Sequence, residues 1–365
     1  MSIPIDNEFH TRYGAVWDRS LSNLAVSAYG DSRDEYRLLK EGCGILDMSA
    51  RSRLCVVGPD KSTFLHGQVT NQVKQLNPGQ GCYAALLNVK GKMESDMNIW
   101  MLNEEILLDF EPGMAEKVIP RLLRYIIAED VDVVEVGDIY RQITLCGPRS
   151  AEVLSGISPA IQLPESHSCI QPVYEKSDTL GEAYIATQKF GNGLLHNLFV
   201  PVEHHLKLLE SLIESARSRE LGGLVGQVAF ETLRVELGVP RFGIEMDESN
   251  LPPEVGLDKV AVSYNKGCYI GQEIIARMRT YGQASKKLCG FRFSGDLKEL
   301  PEKNTPVWCG EKRAGNLVNS VHSLALGEPI AMGYLKKQFL ENAPSLEIKI
   351  GERIYPLILV TMPFC

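Results

Sequence analysis

The chain has 365 residues, too many for one small core and enough for two or three domains. Its composition, 44% hydrophobic and 23% charged without a low-complexity tract, is that of an ordinary folded protein. A net charge of −8 and a pI near 5.5 argue against a dedicated nucleic-acid or membrane-surface binder, which needs a basic field.

In chain order, the N-terminal "MSIPIDNEFHTRYG" has acidic residues and no apolar signal core, so export is not expected. No later segment reaches the roughly eighteen apolar residues of a membrane span. Two segments then echo each other: "SRLCVVGPDKSTFLHGQV" (52–69) and "RQITLCGPRSAEVLSGI" (141–157). Each reads as a short apolar strand, a Gly-Pro turn and a helix, which points to two related modules. Between them lie strand-like stretches and a helix over about 114–127, where Pro120 should kink the helix or mark its start. "VEHHLKLLESLIESARSRE" has a helical stripe of Leu206, Leu209, Leu212, Ile213 and Ala216, with His204 and His205 read as solvated. A further helix spans about Val225 to Leu237, stopped by Gly238 and Pro240. After about residue 285 only short strands and turns follow, the pattern of a compact β-barrel.

Nine cysteines, an odd number with no C-x-x-C pair, weaken both a zinc site and a disulfide framework, and a reducing cytoplasm fits best. Most sit in apolar strand contexts. Cys268, in "NKGCYIGQEIIARMRTYGQ", is different: Lys266 is two residues away and a helix entrance follows at Gly271-Gln272-Glu273. A neighbouring ammonium and free helix amides both favour a thiolate. Asp96, in "VKGKMESDMNIW", is either a solvent-facing edge residue or a functional carboxylate at a strand end, since aspartate is disfavoured inside strands. Glu236 near a helix C-terminus is opposed by the helix dipole, and it either pairs with Arg234 or Arg241 or faces a ligand carrying N–H donors. No phosphate-binding loop, G-x-S-x-G elbow or H-E-x-x-H pair is present.

The stretch "KGCYIGQE", Lys266, Gly267, Cys268, Tyr269, Ile270, Gly271, Gln272 and Glu273, resembles the signature of the YgfZ-type folate-binding proteins, which share a superfamily with the glycine-cleavage T-protein. "GCGILDMSARSRLCVVGPDKSTFLHGQVTNQV", "ELGVPRFGIEMDESNLPPEVGL" and "GNLVNSVHSLALGEPIAMGYL" resemble other parts of that superfamily, so the likeness covers nearly the whole chain. It implies an α+β fold of three domains in a ring around a central tetrahydrofolate pocket, with a C-terminal β-barrel. Domain one would comprise 1–52 and 141–240, domain two 53–140 and 241–284 with the signature, and the barrel 285–365.

The resemblance also implies site residues. Asp96 matches the aspartate near the N10 nitrogen, and Glu236, in "RVELG" with Arg234, matches the carboxylate that grips the pterin. The family's Tyr-Gly is Phe242-Gly243 here, without the hydroxyl. A carboxylate can accept from a pterin's adjacent N–H groups in a bidentate manner, and an aspartate against N10 can orient or deprotonate the amine. Two activities follow as expectations. One is a folate-binding protein that supports iron–sulfur protein assembly or repair, with Cys268 as the working thiol. The other is a tetrahydrofolate-dependent aminomethyl- or methyltransferase that uses Asp96.

Overall fold

The computed structural model describes residues 6–17, 25–158, 161, 163–170, 183–282, 284–295, 297, 299–340 and 345–365. Residues 1–5 of the stretch read as lacking a signal core lie outside them. Among the described residues no helix is long and apolar enough to cross a membrane.

The strands form three sheets, and the chain passes between the first two twice. Sheet one has six strands in the order Gly222–Leu224, Cys43–Asp47, Tyr140–Cys146, Gly193–Pro201, Tyr184–Phe190 and Ser168–Ile170. Sheet two has five, in the order Gly81–Leu87, Met93–Met101, Ile106–Phe110, Ser52–Val57 and Asp132–Glu135. The third is a closed barrel of six antiparallel strands, beginning at Lys286–Phe293 and closed when Arg353–Val360 pairs back onto that first strand. Closure leaves the barrel without free sheet edges. The fold is therefore α+β with a C-terminal β-barrel.

The two echoed segments use one device. After Ser52–Val57 the chain turns at Gly58 into the helix Lys61–Gln68; after Tyr140–Cys146 it turns at Gly147 into Ser150–Ser155. Gly58 has φ +102° and Gly147 φ +125°, and a Cβ would collide with the carbonyls of Asp130 and Gly42 respectively. Only glycine combines that backbone with that proximity. We expect Gly147→Ala to lower stability by at least about 2 kcal/mol, read from the urea midpoint, because left-handed strain and the clash with Gly42 act together.

Helix Val202–Ser218 buries Leu208, Leu209, Leu212, Ile213 and Ala216 against sheet one, as its periodicity requires. His205 corrects the sequence reading: it is buried, with its Nε2 3.4 Å from Asp47 Oδ2 and 3.3 Å from Ser49 Oγ. His10 bonds the same carboxylate at 3.0 Å, and Tyr29 completes the group through His10 Nδ1. A buried carboxylate needs such partners, and the helix starts where one can be supplied. Pro120 lies inside the helix Ala115–Leu123 and does not begin it.

Candidate functional site

Alternate residues of a strand share a face, so the register of sheet two sorts its side chains into two sets. One face carries Leu54, Val56, Ala84, Leu86, Met97, Ile99 and Leu108 and packs as an apolar core. The other face is layered. Trp100 and Leu107 pair across neighbouring strands, and with Cys55 they pack onto Ala186 and Phe199 of sheet one. Ala85 and Leu87 pack with Phe242, Val235, Tyr269 and the barrel residues Ile330 and Met332. Between these apolar zones runs a polar row, Tyr83–Asn98–Asp109–Arg53, each residue paired with the next across the sheet. Asp96 stands beside that row, opposite Ala85.

The Met93–Met101 strand is interior to the sheet, so Asp96 is not the solvent-facing edge residue that its sequence context allows. Tyr83 donates its hydroxyl to Asp96 Oδ2. Oδ1 is buried and has no hydrogen-bond partner among the described residues. A buried carboxylate oxygen without a donor is costly and rare in a finished fold. Burial and then the charge of Glu111 push this carboxyl up to about 6, against the lowering effects of Tyr83 and Arg51. It can therefore exchange a proton near neutrality.

A chain of alternating charges runs from this face to the barrel. Arg51 donates to Asp109 at 2.7 Å and to Glu111 at 2.8 Å. Arg241 donates to Glu111 at 2.7 Å and to Glu231 at 2.8 Å. Arg234 grips Glu231 and, in a two-pronged pair at 2.8 and 2.9 Å, Glu245. Asn319 of the barrel also donates to Glu245, at 2.6 Å. Arg234 is almost wholly buried, and its guanidinium serves these pairs and the Val239 carbonyl. Glu236 lies two residues further along the same helix and is fully buried. It accepts from the Tyr36 hydroxyl, from Ser323 Oγ at 2.6 Å and from the Ala325 N–H at 3.1 Å. These donors come from helix Ser32–Glu41 and the barrel, and they satisfy both carboxylate oxygens. Phe242 is a buried member of the apolar zone beside Asp96.

The signature forms a strap. Lys266 is buried, its Nζ donates to the carbonyls of His66 (2.5 Å) and Val69 (2.6 Å), and it lies 4.8 Å from the Tyr269 ring centre. Burial lowers its pKa to about 8. This corrects the reading of Lys266 as the thiolate's partner: its ammonium is turned inward, where two carbonyls compensate the desolvated charge. Ile270 N–H bonds the Gly67 carbonyl, and Gly271, at φ +85°, leaves no room for a Cβ, which would sit 2.6 Å from the Asn88 carbonyl. Helix Gln272–Tyr281 starts there, with Gln272 half-buried and Glu273 exposed. Gly267 and Cys268 are the exposed crest of the strap, anchored on both sides.

Residues 7–266 match the model of the GCVT N-terminal domain, and residues 286–365 match that of the glycine cleavage T-protein C-terminal barrel domain. The chain belongs to the glycine cleavage T-protein family. Relatives within the T-protein family include a putative chloroplastic transferase of Arabidopsis thaliana, 26% identical over 97% of this chain and 79% of the relative. An aminomethyltransferase of Aquifex aeolicus is 27% identical over 91% of this chain and 86% of its own. The glycine cleavage system aminomethyltransferase T of Bartonella henselae superposes with a TM-score of 0.86 at 20% identity, covering 98% of this chain and 96% of that one, which establishes the T-protein fold. Tetrahydrofolate is the cofactor of the aminomethyltransferases of the T-protein family.

Tyr83, Arg51, Glu111 and Asp109 escaped the sequence analysis, and Arg241, weighed there as a partner of Glu236, pairs instead with Glu111 and Glu231. Their signal in this T-protein sequence is period two: Arg51-x-Arg53, Asp96-x-Asn98 and Asp109-x-Glu111 put polar residues on one face of otherwise apolar strands. A strand face that is polar yet inside the protein marks a lined site.

Proposed function

We propose that this protein is a tetrahydrofolate-dependent one-carbon transferase of the aminomethyl or methyl kind, with Asp96 as its working carboxylate. The observation that carries the reading is the buried, unpartnered Oδ1 of Asp96, an acceptor held ready for an amine N–H. Tyr83 occupies Oδ2 and so fixes which oxygen is left for the ligand. Bound tetrahydrofolate supplies the amine that takes up the one-carbon unit. Asp96 orients that amine and holds or accepts its proton at Oδ1, in a site from which the two flanking apolar zones exclude water. Phe242 contributes apolar wall.

In this reading Glu236 anchors the pterin by exchanging its Tyr36 or Ser323 donor for ligand N–H groups, while Arg234 ties the same helix to Glu245 and makes no contact with Glu236. Glu236→Gln keeps the shape but removes the charge, and we expect tetrahydrofolate to bind about ten- to a hundredfold more weakly by calorimetry. Unchanged affinity would remove Glu236 from the site. The transferase reading itself is tested by turnover with dimethylglycine, dimethylsulfoniopropionate and aminomethyl-lipoyl protein as donors.

One observation favours a second reading, a YgfZ-type folate-binding protein that serves iron–sulfur proteins: Cys268 is exposed at the crest of an anchored strap. Such a thiol is available for exchange with a client cysteine. On this reading Cys268→Ala leaves folding and tetrahydrofolate binding intact and abolishes complementation of an iron–sulfur repair defect. Full complementation by the alanine variant would leave Cys268 without a function.

A further inference from the structure

The barrel strand Arg353–Val360 leads into "TMPFC", residues 361–365, whose side chains alternate: Thr361, Pro363 and Cys365 are exposed, Met362 and Phe364 half-buried. An extended segment shows that alternation when one of its faces lies on the protein. Two glycines form the seat of the inward pair. A Cβ on Gly238, just past the helix Gln227–Glu236, would stand 2.6 Å from Met362 Cβ. One on Gly290, in the first barrel strand, would stand 2.8 Å from the Phe364 ring and 2.9 Å from Met362 Cγ. From this seat Met362 and Phe364 join the apolar zone of Val235, Phe242 and Tyr269. Phe364 N–H donates to the main-chain carbonyl of Glu236 at 2.8 Å. A carbonyl in the last turn of a helix has no partner within the helix, and this segment supplies one. We propose that residues 361–365 are a movable cover on the Glu236 end of the pocket, which lifts before a ligand can enter there.

Glu236 has no solvent exposure, so a ligand reaches it only if a neighbouring element moves. Helix Ser32–Glu41, which brings Tyr36, is fixed at its start: Glu35 accepts from the N–H groups of Tyr29, Gly30 and Gly226. Ser323 sits in a bonded turn, donating its N–H to the Glu328 carbonyl and accepting from Gly327 and Leu326. Residues 362–365 are held more lightly. Among the described residues they make one backbone hydrogen bond, and two half-buried side chains complete their attachment. A segment with so few ties opens at low cost while the rest of the fold stays closed. Its exposed end lies close to the carboxylate: burial and then the charge of Glu236 push the Cys365 thiol up, against the lowering effect of Lys40. The role of the cover in folate entry rests on the reading of Glu236 as the pterin anchor; the seat on Gly238 and Gly290 does not.

The test is stopped-flow binding of tetrahydrofolate to the full-length protein. Phe364→Ala takes the ring out of its seat, and Gly290→Ala fills the seat without altering the segment. Only molecules with the cover lifted can bind, so both variants should associate about tenfold faster or more. Their dissociation rates should match the wild type, because the cover is already off in the complex. Hydrogen exchange at the Phe364 amide should be slow in the free protein and fast with saturating tetrahydrofolate. Wild-type association rates in both variants, or a Phe364 amide still protected in the complex, overturn the proposal. If Gly290→Ala does not fold, Phe364→Ala and the amide decide. Faster association in the variants with undiminished affinity in Glu236→Gln sustains the cover and rejects Glu236 as the anchor. Weaker binding by Glu236→Gln with wild-type rates in both variants does the reverse. Absence of tetrahydrofolate binding in all of these proteins rejects both.

Discussion

Asp96→Asn is expected to lower kcat for one-carbon transfer by two to four orders of magnitude while making the fold more stable at neutral pH. The amide retains an acceptor for Tyr83 but cannot take a proton, so the loss should fall on kcat more than on tetrahydrofolate binding. The gain in stability follows from the raised folded-state pKa. A carboxyl that titrates at about 6 in the folded protein and at 3.8 ordinarily favours folding while protonated; that contribution is complete below about pH 4 and gone above about pH 6. The interval corresponds to about 3 kcal/mol that ionised Asp96 costs the wild type and the asparagine does not. Urea midpoints of the two proteins should therefore nearly coincide at pH 3.5 and separate at pH 7.5, while wild-type kcat/KM rises through pH 6. Wild-type turnover in the variant would end the catalytic assignment. A variant no more stable at pH 7.5 than the wild type would show that Asp96 is not desolvated.

Arg234→Met is expected to be among the most destabilising single changes in the chain, costing about 3–5 kcal/mol. The substitution strands two carboxylates at once. Glu245 has a fully buried side chain and Glu231 is only slightly exposed, and neither can recover by turning to water. Arg241 and Asn319 would remain as partial partners, which keeps the estimate from rising further. Lys117 and Glu248 provide the contrast: their pair is mostly solvent-exposed, and Lys117→Met should change stability by less than about 1 kcal/mol. Urea denaturation of both variants reads the difference directly. A cost below about 1 kcal/mol for Arg234→Met would mean that the Glu231–Arg234–Glu245 cluster does not hold the Gln227–Glu236 helix to the segment leading into the barrel.

By itself the sequence determined what depends on neighbours in the chain. The 3.6-residue stripe of 202–220 located a helix now seen over Val202–Ser218, and the short strands beyond residue 285 announced a barrel, because both periodicities arise from backbone geometry within a few residues. The Gly-Pro echoes also stand out locally, since only glycine tolerates the backbone found at Gly58 and Gly147. What depends on sheet order and register was decided only by tertiary structure. Asp96 lies in an interior strand opposite Ala85, beside a polar row that forms only because Tyr83, Asn98, Asp109 and Arg53 meet across the sheet. The direction of Lys266 was equally out of reach: two residues from Cys268 in sequence, its ammonium turns to carbonyls at His66 and Val69, about 200 positions away. His205 passed for a solvated helix residue because its partner, Asp47, is supplied by a distant strand. In each case the deciding term is the desolvation of a charge, and a linear sequence does not show which carbonyl or carboxylate will stand beside that charge once water has left.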